Sequence, residues 1–119
     1  MDIKEYFKEA SRTDAPLSSK REHDLHMVLG MVTEVGELAD QFKKNLAYGK
    51  ELDGFNIIEE IGDLMWYVAN FCTSNNIDFE KLLEVNIGKL ALRYPEKFTE
   101  YFAAHRDLDG ERKILEGEG

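Results

Sequence analysis

The sequence predicts an all-α fold, a bundle of four to five helices, and three observations predict it. Apolar residues recur at steps of three and four along most of the chain, and strand-like alternation is nearly absent. Only Pro16 and Pro95 interrupt the pattern. Three of the periodic stretches also follow a residue suited to cap a helix N-terminus.

The first helix is expected from about Asp2 to Ala10, with Ile3, Tyr6, Phe7 and Ala10 on one face and Asp2 with Glu5 spaced as a capping box. Ser11 to Ser18 reads as a loop. Ser19-Lys20-Arg21-Glu22 forms a second capping box, and the long helix it opens carries Leu25, Val28, Val32, Val35, Ala39, Phe42 and Leu46 as a core-facing stripe. Tyr48-Gly49 ends this helix, and the chain turns through Asp53-Gly54 into a third, Phe55 to about Thr73. There Ile57, Ile58, Ile61, Leu64, Met65, Val68, Phe71 and Cys72 make a face too wide for one neighbour, so part of it is expected to meet a second subunit. Asp78 reads as the N-cap of a fourth helix, Phe79 to Tyr94, with Phe79, Leu82, Leu83, Ile87 and Leu90 inward and Pro95 closing it. A short helix through Tyr101 and Phe102 follows. The charged end, finishing in Gly117-Glu118-Gly119, is expected to be mobile or to lie on a partner.

At 119 residues the chain has the length of one domain. Residues 1–18 form its N-terminal helix and loop, 19–95 its core helices and 96–119 its charged tail. The net charge of −9 argues against a nucleic-acid polymer as partner, because such binding draws on Lys and Arg. No apolar run approaches the roughly 18 residues of a membrane span, and no secretory h-region follows Met1. The expectation is a soluble, cytoplasmic protein without a membrane partner. Cys72 is the lone cysteine, which excludes an internal disulfide and suggests core packing. Lys43 with Lys44, and Lys89 with Arg93, form small basic groups compatible with a nucleotide.

Glu34 and Glu37 stand three apart on the second helix, and Glu60 and Asp63 three apart on the third, so each pair projects from one side of its helix. If the helices run antiparallel, the pairs approach one another. Glu37 lies further from the turn than Glu60, however, and the levels match only within about two turns. A third helix starting near Leu52 would reduce the offset. One Glu-x-x-Glu is ordinary solvated helix surface; two such pairs at the edges of apolar stripes call for a cation among them. All-oxygen ligands suit Mg²⁺, with Mn²⁺ as a substitute. A di-iron cage would need Glu-x-x-His, and His23, His26 and His105 lie elsewhere. Glu60, Asp63, Tyr67 and Asn70 share a stripe on which a base or sugar could lie, with Trp66 available for stacking. Asn86, Lys89 and Arg93 share a face of the fourth helix and could grip phosphate.

The segments "TEVGELADQFKK", "EEIGDLMWYV" and "NIGKLALRYPEKF", in this order, resemble the MazG-type all-α nucleoside triphosphate pyrophosphohydrolases, whose signature is Glu-x-x-Glu, a spacer, and Glu-x-x-Asp. The resemblance covers about Glu22 to Glu116, and "HRDLDGERKILE" looks like the end of short stand-alone and phage-type members. It implies Mg²⁺ coordination and catalysis through Glu34, Glu37, Glu60 and Asp63, with Lys89 and Arg93 on the substrate phosphates. Glu59 matches a position that is often acidic and orients water. Where some members carry a further Glu before the first motif, this chain has Thr33. The implied reaction is hydrolysis of (deoxy)nucleoside triphosphates to monophosphate and pyrophosphate, in nucleotide-pool cleaning. Asn86, Tyr67, Asn70, Lys43 and Trp66 join the expected substrate contacts, and the expected assembly is a homodimer or homotetramer. The rival readings are a non-catalytic helical interaction protein and a same-fold hydrolase preferring dUTP, dCTP or a diphosphate.

Overall fold

The computed structural model describes residues 1–117. Its helices are α1 (Ile3–Arg12), α2 (Lys20–Tyr48), α3 (Gly54–Ser74), α4 (Phe79–Arg93), α5 (Glu100–Ala104) and α6 (Leu108–Leu115). Among the described residues there is no strand, so the all-α expectation holds. No helix among them is long and apolar enough to cross a membrane. The chain divides into two compact units, Met1–Ile77 and the residues from Asp78 on.

Local chemistry sets the helix ends of the first unit. Asp2 Oδ1 accepts from the Glu5 N–H at 2.8 Å and Ser19 Oγ from the Glu22 N–H at 3.1 Å, while Asp53 Oδ1 accepts from both Phe55 and Asn56. Each satisfies first-turn donors that have no partner inside the helix. Gly49, at φ 67°, closes α2 in the left-handed region.

Contacts between α2 and α3 show them antiparallel. Ser74 Oγ donates to Asp24 at 2.8 Å, Tyr67 lies on Gly30, and Glu37 meets Glu60, so each step along α2 is matched by a step back along α3. The helix levels are reconciled by the loop rather than by an early helix start, since α3 begins at Gly54. After Gly49 the chain turns back on the end of α2, where Asn45 Nδ2 donates to the Lys50 carbonyl at 2.7 Å and the Lys50 N–H reaches the Lys44 carbonyl. α1 is fastened to α3 by Trp66 Nε1 donating to Thr13 Oγ1 (2.8 Å) and by Asn70 Nδ2 donating to the Ala10 carbonyl (3.3 Å). His23 Nε2 pairs with Asp14 Oδ2 at 2.6 Å and holds the connecting loop to α2.

Gly30 is the tightest point of this unit. A Cβ there would lie 2.1 Å from Tyr67 Cε1, inside the ring's contact distance. Gly30→Ala is therefore expected to destabilise the protein by about 1–3 kcal/mol despite the better helix propensity of alanine. Thermal melting checks this, and Gly30→Ala with Tyr67→Ala should recover part of the loss.

The α2 stripe read as core-facing is exposed: Leu25 is 52% accessible, Val32 64% and Leu46 88%. α2 instead turns Met27 and Gly30 inward, with Glu34 and Leu38 half-buried. The helix has two apolar faces and α3 covers one, the face on which glycine lets Tyr67 reach the backbone. Among the described residues the buried apolar side chains are Ala10, Met27, Ala69 and Cys72. Cys72 thus packs inside as expected, and burial raises its thiol pKa.

In the second unit α6 packs on α4, with Ile114 Cγ2 3.3 Å from where a Cβ on Gly88 would stand. The tail expected to be mobile or partner-bound is, through residue 117, folded onto its own unit. Its charge is internally matched, because Glu111 is buried between Arg93 (2.7 Å) and Arg106 (2.9 Å) rather than solvated. The short helix α5 appears where expected, capped by Thr99. Of Gly117-Glu118-Gly119, the last two residues lie outside the described residues. Leu82, Leu83 and Ile87, expected inward, are exposed at 40%, 39% and 65%.

Candidate metal centre

Glu34 and Glu37 rise from adjacent turns of α2, and Glu60 from the facing turn of α3. One carboxylate oxygen of each lies within 4.8 Å of the other two. Glu60 is buried, Glu34 half-buried and Glu37 exposed. Oε2 of Glu34 and Oε2 of Glu60 are buried and accept no hydrogen bond. Buried acceptors are almost always satisfied, so these oxygens need either a proton shared among the carboxyls or a bound cation. The three side chains offer only hard oxygen ligands, which fits a hard divalent cation.

The cluster's titration reflects the same repulsion. Glu37 is raised above its ordinary value, first by its contact with Glu60 and then by that residue's charge. Glu60 is raised first by its contact with Glu34, with burial and the charges of Glu34 and Glu59 adding and Glu37 opposing. A carboxylate raised on folding holds its proton more tightly in the native state, so native stability falls as pH climbs from the unfolded value through the raised one. The metal-free protein is expected to melt at lower temperature as pH rises above about 4.5, and millimolar Mg²⁺ should remove that slope. Melting curves with and without Mg²⁺ check this; a flat metal-free profile would mean the carboxylates do not repel.

Asp63 does not join the close group. It is exposed one turn further along α3, where its charge raises Glu37 and, after burial, raises Tyr6. Thr33 Oγ1 donates to the Gly30 carbonyl at 2.9 Å and is used within its own helix. Glu59 is exposed beside Glu60.

A cavity of about 590 Å³ adjoins the carboxylates, walled by Glu37, Glu60, Asp40, Gln41, Lys44 and Asn56, with Thr33 and Gly36 completing it. Gln41 Nε2 is buried there without a partner. Neither Gln41 nor Asn56 was singled out from the sequence. The signal existed, because Gln41 follows Glu37 by four residues and Asn56 precedes Glu60 by four, so both continue the acidic face. Lys44 pairs with Asp40 at 2.7 Å and lines the cavity; Lys43 reaches Asp40 at 3.4 Å and does not.

The other expected substrate contacts lie in packing roles or in the second unit. Trp66 and Asn70 hold α1, and Tyr67 fills the space over Gly30 with its ring edge-on to His26 (5.9 Å) and Trp66 (5.1 Å). On α4, Asn86 is exposed and Lys89 half-buried. Arg93 is committed to Glu111, which raises its pKa further, and its guanidinium lies 5.7 Å from the centre of the Tyr94 ring.

Comparison with known proteins adds two findings. A model of the MazG nucleotide pyrophosphohydrolase domain matches residues 22–98. The Gene 37 protein of Mycobacterium phage L5 is 31% identical over 75 residues, 57% of this chain and 63% of that protein, so the match spans less than two thirds of the relative. No solved structure matches.

Proposed function

The chain belongs to the MazG nucleotide pyrophosphohydrolase family, and on that premise we propose that it hydrolyses (deoxy)nucleoside triphosphates to the monophosphate and pyrophosphate, using Mg²⁺ held by Glu34, Glu37, Glu60 and Asp63. The observation that carries this reading is the convergence of three carboxylates with two buried, unpartnered oxygens. Mg²⁺, or Mn²⁺ in its place, supplies Lewis acidity and charge neutralisation when bound.

The protein's own groups divide the remaining tasks. Glu34 and Glu60 sit on paired helices, so their oxygens are positioned before any ligand arrives. Asp63 completes the acidic set from the solvent side. The cavity beside Glu37 offers amide groups from Gln41 and Asn56 to polar atoms of a nucleotide, and Lys44 offers a cation to its phosphates. Lys89, Arg93, Asn86 and Lys43 are assigned to the phosphates, and Tyr67, Asn70 and Trp66 to the base or sugar, as the sequence suggests. Arg93 must then share its charge between substrate and Glu111.

A panel of canonical and modified nucleotides, incubated with the protein and Mg²⁺ or Mn²⁺, tests the proposal. Release of pyrophosphate from triphosphates is expected. Orthophosphate from diphosphates, or turnover confined to dUTP or dCTP, would narrow the substrate; no turnover together with no metal binding would favour a non-catalytic helical protein.

A further inference from the structure

A second cavity, of about 340 Å³, opens where α1 and its loop meet the start of α2 and the end of α3, with Asp14, Lys20, His23 and Asn70 in its wall. Its volume is that of a small-ligand site. The wall is short of free donors. Lys20 Nζ is committed to Asp24 (2.6 Å) and Asn75 Oδ1 (2.7 Å), Ser11 Oγ donates to the Lys8 carbonyl (2.7 Å), and Ser74 Oγ donates to Asp24 (2.8 Å). Asn70, 1% accessible, uses both amide hydrogens on the carbonyls of Ala10 (3.3 Å) and Trp66 (3.2 Å), so its Oδ1 is what it has left to offer. Asp14 Oδ2 meets His23 Nε2 at 2.6 Å, while Asp14 Oδ1 is buried with no partner among the described residues. Acceptors in such positions are rarely left unmet, and an occupant that completes this wall brings N–H donors.

Asn70 continues the stripe of Glu60, Asp63 and Tyr67 and stands two turns, about 10 Å, beyond Asp63 along α3. That is comparable to the span from a nucleotide's α-phosphate to the far edge of its base. We propose, resting on the pyrophosphohydrolase reading above, that Asp14 and Asn70 determine base specificity, favouring bases that carry an exocyclic amino group. Guanine, cytosine and adenine each present such a group. Uracil and thymine present carbonyl oxygens instead, which would face the two protein acceptors with no hydrogen between them.

Comparing kcat/KM within two substrate pairs tests this: dCTP against dUTP, where a carbonyl oxygen replaces the amino group, and dGTP against dITP, where the amino group is simply missing. The amino-bearing member of each pair is expected to be turned over at least about tenfold more efficiently, the scale of one buried hydrogen bond left unmade. Asp14→Asn, which replaces the open carboxylate by an amide, should narrow both ratios several-fold. Because that substitution also loosens the His23 pairing, a second readout uses the wild-type chain alone, in which dCMP should bind more tightly than dUMP by a similar factor. Ratios near one, ratios favouring dUTP and dITP, or full discrimination retained in a folded Asp14→Asn protein overturn the specificity assignment and leave the hydrolase standing. If no nucleotide is turned over, it is the hydrolase reading that falls; the two monophosphates then decide for the cavity, and equal affinity or no binding of either overturns its assignment too.

Discussion

Glu60→Gln is expected to lower kcat/KM by about a thousandfold, the scale on which a group stabilising developing charge contributes. The amide keeps the side chain's shape but removes a charge from the buried corner of the cluster. The same substitution should raise the melting temperature of the metal-free protein, because Glu34 and Glu37 lose the neighbour that repels them. It should also abolish most of the stabilisation that Mg²⁺ gives the native protein. These responses separate a metal ligand from a merely structural acid, whose loss would lower stability with or without metal. Full turnover in Glu60→Gln would place the chemistry elsewhere.

The second large effect concerns Glu111. Arg106 and then Arg93 donate to its carboxylate and hold its pKa at about 2, well below the ordinary 4.5. A depressed carboxylate contributes stability that is fully present above the unfolded value and is lost as pH falls through the folded one. The pairing of α4 with α6 should therefore weaken between about pH 4.5 and 2. At neutral pH, Glu111→Ala removes the acid and leaves Arg93, largely enclosed, without its counter-charge, an arrangement that strongly disfavours the folded state. Amide exchange in α6 is expected to accelerate by at least about a hundredfold, with protease cleavage appearing near Ala104 to Asp107. Unchanged protection of α6 would mean that Ile114 and its apolar contacts hold the helix without the ion pairs.

Local reading succeeds at the helix ends. Asp2, Ser19, Asp78 and Gly49 act on backbone groups within a few residues, so the helix ends they mark were legible without the fold. The pairing of Glu34 with Glu37 was legible for a similar reason, since a three-residue step keeps two side chains on one face. Cap chemistry and helical period are properties of a short stretch of chain.

What lay beyond that reach involves a choice between equivalent local options. α2 offers two apolar faces, and periodicity cannot say which meets α3; Gly30 decides it, by admitting Tyr67 where any side chain would collide. The packing of α3 on α2 brings Glu37 level with Glu60 and leaves Asp63 outside the close group. Trp66 and Asn70 read as substrate contacts from their stripe, and only the fold reveals that both also donate to α1. The tail read only as charged because Arg93, one of the two partners that bury Glu111 within it, lies 18 residues away on α4. The sequence by itself thus determined the helices, their caps and the carboxylate pairs, whose interactions span a turn or two. Only the tertiary structure decided which faces close, which acids converge and which charge is buried, because those outcomes depend on contacts between residues far apart along the chain.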